Sequence, residues 1–223
     1  MTALRFPRGV YGVTPEWDDT ERLLRAVKQA AGAGMRALQL RRKDVPDAVR
    51  AAQARALAPL CRELGVVLMI NDHWQLALEV GADGVHLGRD DGDVAQVRRQ
   101  APDLLIGASC YNELERARRQ LAAGADYIAF GAVFPSPTKP QAVQAPLSLL
   151  TEASELTRQQ PLPRPAVVAI GGITPDNAAL AAQAGADALA VITGLFEAPD
   201  IRAAARACAA PYADPPRHPA TTR

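Results

Sequence analysis

The stretch GADGVHLG, residues 81–88, opens with a phrase that returns at 124–132 as GADYIAFGA and at 185–194 as GADALAVITG. Each time, Gly-Ala-Asp leads into a short apolar run. Glycine enters the left-handed backbone conformation without steric penalty, so it ends a helix, and the run behind it reads as the next strand. Three copies of one helix-to-strand joint predict a fold that repeats the joint around the whole chain.

Outward from these copies, Val-, Ile- and Leu-rich runs place strands at 10–14, 35–41, 66–71, 83–88, 104–109, 127–133, 166–172 and 188–194. The segments between them, such as 19–32, 46–64 and 112–123, are alanine-rich and charged at helical spacing. Eight strand–helix units in roughly 200 residues predict an α/β fold, a single (β/α)8 TIM barrel. An open doubly wound sheet is the alternative, because periodicity does not report closure. No composition break divides the chain; residues 1–210 read as one catalytic barrel and the proline-rich 211–223 as a flexible tail.

With 223 residues and 48% hydrophobic content, the chain is long enough for a continuous core. Lysine plus arginine, 25, nearly balances aspartate plus glutamate, 24, which argues against nucleic-acid or membrane-surface attraction and leaves any anion to be met locally. Cys61, Cys110 and Cys208 show neither disulfide nor zinc spacing. Without an apolar leader or spanning run, the expected location is cytoplasmic.

A barrel builds its active site at the C-terminal strand ends. Those ends carry Gln39-Leu40-Arg41-Arg42-Lys43, Asn71-Asp72, Gly88-Arg89-Asp90-Asp91, Ser109, Pro135-Ser136-Pro137-Thr138-Lys139, Gly171-Gly172-Ile173 and Thr193-Gly194. The small residues of strands seven and eight suit a phosphate approached by backbone N–H groups. Asp72 and Asp91 supply hard oxygen ligands suited to Mg²⁺, with helix capping as the competing role for Asp91. Strand alternation turns Gln39, Arg41 and Lys43 inward and leaves Leu40 and Arg42 on the helix side, where Arg42 is expected to be solvated. Arg41, Lys43 and Lys139 then describe a site for a polyanion. His73, His86 and His218 show no evident serine or cysteine partner, and His86 reads as a core residue.

Seven phrases in order, QLRRK, MINDHWQLAL, GADGVHLGRDD, IGASCYN, GAVFPSPTK, AIGGITPDN and VITG, resemble the thiamine-phosphate synthase family over almost the whole chain. The resemblance implies an enzyme that joins hydroxymethylpyrimidine diphosphate to a thiazole phosphate with Mg²⁺, releasing pyrophosphate. Carried over by residue, it implies that Gln39, Leu40, Arg41, Arg42, Lys43, Asn71, Ser109 and Lys139 hold the pyrimidine diphosphate, with Arg41, Lys43 and Lys139 catalytic. It implies metal ligation by Asp72 and Asp91, and a thiazole phosphate site at Ser136, Pro137, Thr138, Gly172, Ile192 and Thr193. The partners implied are small molecules, with homo-oligomerisation left open. The loop PQAVQAP after Lys139, Tyr111 and Thr193 depart from the family's usual residues. The rival readings are a thiazole tautomerase, a phosphosugar epimerase or isomerase, and a non-catalytic thiazole-phosphate binder.

Overall fold

The computed structural model describes residues 3–89, 91–135 and 143–213. Strands β1 (Gly9–Val13), β2 (Met35–Leu40), β3 (Val67–Asn71), β4 (Gly84–Leu87), β5 (Leu105–Tyr111), β6 (Tyr127–Phe130), β7 (Ala166–Ile170) and β8 (Ala188–Val191) pair in sequence order. They form a closed parallel barrel, in which β8 returns to β1 through the register Gly9↔Ala188 to Gly12↔Val191. Closure, which the sequence pattern left open, is thereby decided.

Helices α1 (Thr20–Ala31), α2 (Asp47–Leu64), α3 (Trp74–Val80), α4 (Val94–Gln100), α5 (Leu114–Ala122), α6 (Leu147–Arg158), α7 (Ala178–Gln183), α8 (Thr193–Phe196) and α9 (Ile201–Ala209) surround it. Local chemistry sets their ends. Asp19, Asp93 and Asp200 cap α1, α4 and α9 by accepting hydrogen bonds from first-turn amides. Gly65 and Gly81 close α2 and α3 in the left-handed conformation.

Two cores result. Leu38, Leu40, Leu68, Ile70, Val167 and Leu189 face outward and pack under the helices. Phe6, Tyr11, Val13, Ala37, Met69, Tyr127, Ala129, Val168 and Ala190 fill the barrel itself. Small residues make room for large ones inside. A Cβ on Gly107 would lie 1.9 Å from the Tyr127 ring, so the glycine is what admits that tyrosine. Alternation along β2 is as the sequence predicts, with Ala37 inside and Leu38 and Leu40 outside.

The Gly-Ala-Asp phrase acquires a second function here. Gly81, Gly124 and Gly185 all have positive φ, as the joint requires. The aspartates then clamp the strand before the one they precede. The Asp83 amide donates to Leu68 O (2.9 Å), and its carboxylate accepts from Leu68 N (2.7 Å). Asp126 brackets Ile106 in the same way at 2.7 and 2.8 Å, and Asp187 brackets Val167 at 2.7 and 2.9 Å. Each clamp satisfies the backbone at the bottom of β3, β5 or β7, where a parallel ladder is only beginning.

The described chain stays docked through the short 3-10 turn Ala210–Tyr212, whose Tyr212 hydroxyl donates to Ala186 O at 3.0 Å. Within the tail, 214–223 lie outside the described residues. Among the described residues no helix is long and apolar enough to cross a membrane.

Candidate active site

The end of β2 is fastened to β1. Thr14 N donates to Gln39 O (2.9 Å), and Thr14 Oγ1 accepts from Arg41 N (2.9 Å). Arg41 Nη1 pairs with Glu16 Oε1 at 3.3 Å. Beyond β2, buried Arg50 braces the turn that carries Lys43, donating from Nε to Arg42 O (2.9 Å) and from Nη2 to Val45 O (3.2 Å). Arg50 lies in α2, and no motif in the sequence marks it.

Arg42 requires a correction. It lies on the helix side as alternation predicts, but its side chain is 1% exposed rather than solvated. Its Nη2 donates to Asp18 Oδ1 at 2.6 Å and its Nε lies 3.6 Å from Glu16 Oε2, an ion pair too long for a hydrogen bond, so that Nε and Nη1 have no hydrogen-bond partner among the described residues. Asp18 itself is 92% exposed, so it returns to water without loss if Arg42 is removed. Arg42→Met should therefore keep or raise stability by up to about 2 kcal/mol, because it relieves unpaired buried donors and retains much of the packing volume. Arg42→Ala, which leaves a cavity, should lose about 2 kcal/mol. Urea denaturation of the two variants decides; equal losses in both would mean that the guanidinium is well satisfied.

Lys43, Asp72 and Asp91 meet above β2, β3 and β4. Lys43 Nζ lies 3.4 Å from Asp72 Oδ2 and 3.8 Å from Asp91 Oδ2. Asp72 has φ 64°, and its amide donates to His86 O, which holds the carboxylate at the mouth. Asn71 Nδ2 donates to Asp72 Oδ2 at 2.5 Å, and Asp72 Oδ1 is buried without a partner among the described residues. Burial pushes the Asp72 carboxyl above its ordinary range, with Lys43 opposing and Asp91 reinforcing the rise.

Asp91 is not the helix cap; Asp93 takes that role, accepting from Ala95 N at 2.8 Å. A Cβ at Gly88 would lie 2.1 Å from Asp91 Oδ2, so a side chain there would push that carboxylate aside. Two carboxylates around one ammonium, with an unpartnered buried oxygen, fit a hard divalent cation that takes few protein ligands and completes its shell from phosphate and water. Among the described residues there is no group of three or more metal-ligating side chains.

Below this charged rim runs a polar chain. Gln39 Nε2 donates to Tyr11 Oη (2.8 Å), the Tyr11 and Tyr127 hydroxyls lie 2.8 Å apart, and Tyr127 Oη is 2.9 Å from His86 Nδ1. His86 Nε2 is in turn 2.9 Å from Ser109 Oγ. His86 is thus a satisfied core residue as expected, but it does have a serine partner, which the sequence conceals because they stand on neighbouring strands. Burial above all, with the charges of Lys43 and Arg41, lowers the His86 pKa to about 4 against the opposing pull of Asp91. Both Tyr11 and Tyr127 have hydroxyl pKa values raised by burial.

Across the mouth, Gly172 (φ 63°), Ile192 and Thr193 stand at the ends of β7 and β8. Gly172 has a stronger packing reason than closeness to a ligand: a Cβ there would lie 2.4 Å from Pro135 O and 2.6 Å from Phe134 O. Gly194 is equally confined, with Ile173 O at 2.3 Å from a would-be Cβ. Any larger side chain at Gly172 therefore disturbs the β6–β7 loops themselves. Ile192 precedes α8 without a capping side chain, leaving the first amides of that helix uncapped by its residue. Ser136, Pro137, Thr138 and Lys139 lie outside the described residues.

Comparison with known proteins follows the same outline. The family model described as "Thiamine monophosphate synthase" matches residues 10–195. The chain is 70% identical over 212 residues to the thiamine-phosphate synthase of Bordetella avium, covering 95% of this chain and 98% of that one. It is 53% identical over 202 residues to that of Chromobacterium violaceum, covering 90% and 94%. Among solved structures, thiamine phosphate pyrophosphorylase from Pyrococcus furiosus superposes with a TM-score of 0.78 at 34% identity, covering 90% of this chain and 93% of that one. The closed barrel, the carboxylate–lysine cluster at its mouth and these likenesses converge, and the chain belongs to the thiamine monophosphate synthase family.

Proposed function

We propose that the chain condenses hydroxymethylpyrimidine diphosphate with thiazole phosphate, releasing pyrophosphate and forming thiamine phosphate. The observation that carries this reading is the meeting of Lys43 with Asp72 and Asp91 at the mouth of a barrel of this family. Arg41 and Lys43, with Lys139, bind the diphosphate and stabilise the charge that grows on it as it departs. Gln39, Asn71 and Ser109 orient the pyrimidine diphosphate by hydrogen bonds. Leu40 and Arg42 belong to the same pyrimidine diphosphate segment, and the outward side chain of the one and the buried side chain of the other favour a contribution through the backbone. Ser136, Pro137, Thr138, Gly172, Ile192 and Thr193 hold the thiazole phosphate.

Asp72 and Asp91 would hold Mg²⁺, which when bound supplies charge compensation for the diphosphate. The aminopyrimidine ring donates electron density to its methylene as pyrophosphate leaves, and the thiazole nitrogen attacks with a lone pair that carries no proton. No general base is required. A buried His86 with both ring nitrogens engaged agrees with that requirement and offers little to a tautomerase, which needs a base at the substrate.

The test is incubation with both substrates, with and without Mg²⁺. Pyrophosphate and thiamine phosphate in equal amounts support the proposal. A rearranged thiazole without pyrophosphate would mean a tautomerase, and saturable binding without turnover a non-catalytic binder; either result overturns it.

A further inference from the structure

We propose that Gln39, Tyr11, Tyr127 and His86 form a one-way hydrogen-bond chain that fixes His86 as its Nε2–H tautomer and leaves Ser109 a proton donor to the barrel mouth. The inference rests on the proposed function only for the nature of the ligand Ser109 meets.

The direction follows from counting donors. Gln39 presents its amide nitrogen to Tyr11, and a nitrogen of that kind only donates. Tyr11 Oη has two partners, Gln39 and Tyr127, and is buried, so its own proton must go to Tyr127 or be left unpaired. Tyr127 then keeps its own proton for His86 Nδ1, because the Gln39 amide, which also faces the Tyr127 hydroxyl, meets it as a donor. With Nδ1 accepting, the ring proton sits on Nε2 and is donated to Ser109 Oγ. Ser109 is half-buried near the C-terminal end of β5, the end of the barrel at which Lys43, Asp72 and Asp91 also stand. Among the described residues its hydroxyl proton meets no acceptor.

Two consequences distinguish this from a passive core network. First, Ser109 cannot be a nucleophile activated by His86, because the nitrogen facing it carries the proton. Second, the group that takes up the Ser109 proton must bring a lone pair, a phosphate oxygen or a ring nitrogen; an N–H there would leave that proton unpaired. Tyr11, Tyr127 and His86 are positioning residues that act through Ser109, while Gln39 heads the chain with its amide nitrogen and keeps its carbonyl oxygen for the pyrimidine diphosphate. None of the four need touch the ligand with the atoms used in the chain. Gly107, by admitting the Tyr127 ring, is part of the same device.

The direct readout is the side-chain ¹⁵N spectrum of His86 in the ligand-free protein, assigned by its absence in His86→Asn. The expected result is a protonated Nε2 and an accepting Nδ1. Gln39→Glu should invert it, because an ionised carboxylate accepts from Tyr11 and reverses every bond down to Ser109. An Nδ1–H tautomer in the unmodified protein, or a tautomer unmoved by Gln39→Glu, overturns the proposal.

A second measurement uses inorganic pyrophosphate with Mg²⁺ as the probe. Ser109→Ala should weaken its binding roughly tenfold, as expected for a lost hydrogen bond to an anion. Tyr11→Phe should weaken it less, and the double variant should be no worse than Ser109→Ala. Additive losses would show that Tyr11 acts by general packing and overturn the relay. If pyrophosphate fails to bind the unmodified protein, the proposed function is at fault, while the tautomer still decides the direction of the chain.

Discussion

Lys43→Ala is expected to lower turnover roughly 10²–10³-fold while tightening the hold of the protein on a divalent cation. The two effects have opposite sign because Lys43 faces two ways. In the free protein its ammonium lies within 4 Å of both Asp72 and Asp91, so it occupies the position a cation would take and compensates the same carboxylates. Its removal leaves two carboxylates side by side with less positive charge between them, which raises their affinity for Mg²⁺ or Mn²⁺. In the reaction, the same ammonium is a preorganised partner for the departing diphosphate, and a preorganised donor is worth most where charge develops. Calorimetric or paramagnetic titration of Mn²⁺ without substrates should show tighter binding in the variant. Pyrophosphate release at saturating substrates should show the loss in turnover. Weaker Mn²⁺ binding in Lys43→Ala would mean that the lysine helps to build the metal site rather than competing for it, and the assignment of Asp72 and Asp91 as the ligands would need another basis.

That cluster shows what the sequence could and could not reveal. The strands were legible because parallel barrel strands are buried on both faces and read as short apolar runs. Polar residues at their ends had to converge once the barrel closed, so Lys43, Asp72 and Asp91 could be named together from their strand positions alone. Closure itself was not legible, because it depends on β8 meeting β1 and leaves no mark in periodicity. The interior chain was hidden for a related reason. Tyr11, His86 and Tyr127 each look like ordinary core residues in their own segments, and their hydroxyl and imidazole groups meet only across the barrel lumen. Arg42 was misread because an arginine next to two other cations resembles a solvated run, whereas its side chain is buried and pairs with Asp18 and Glu16. The Gly-Ala-Asp phrase was half-read. Its glycine announces the helix end locally, but the partner of each aspartate lies a whole strand–helix unit earlier, beyond any local pattern.

The last of those clamps should be the most sensitive to mutation. Arg164→Ala is expected to destabilise the fold by about 3–5 kcal/mol, far from the mouth and without altering the turnover of the molecules that remain folded. Asp187 is held by the amide of Val167 and by a two-pronged pairing with Arg164, at 2.9 and 2.8 Å, and both side chains are buried. Arg164 also reaches Thr157 Oγ1 and Pro165 O, while its backbone bonds Ala3 and Arg5, so the pair ties α6, β7, β8 and the N-terminal segment together. Alanine would leave the Asp187 carboxylate buried with one remaining hydrogen bond, the condition under which breaking an ion pair costs far more than the pair was worth. The double variant Arg164→Ala/Asp187→Asn should therefore recover about 1–3 kcal/mol relative to the sum of the single losses, because no charge is stranded. Arg55→Ala is the control: Arg55 and Glu79 pair at a similar distance but are each more than half exposed, and the loss there should stay below about 1 kcal/mol. Urea denaturation gives all four numbers. Strict additivity in the double variant, or an Arg164→Ala loss no larger than that of Arg55→Ala, would mean that Val167 and water already satisfy Asp187, and that the third Gly-Ala-Asp clamp holds without its arginine.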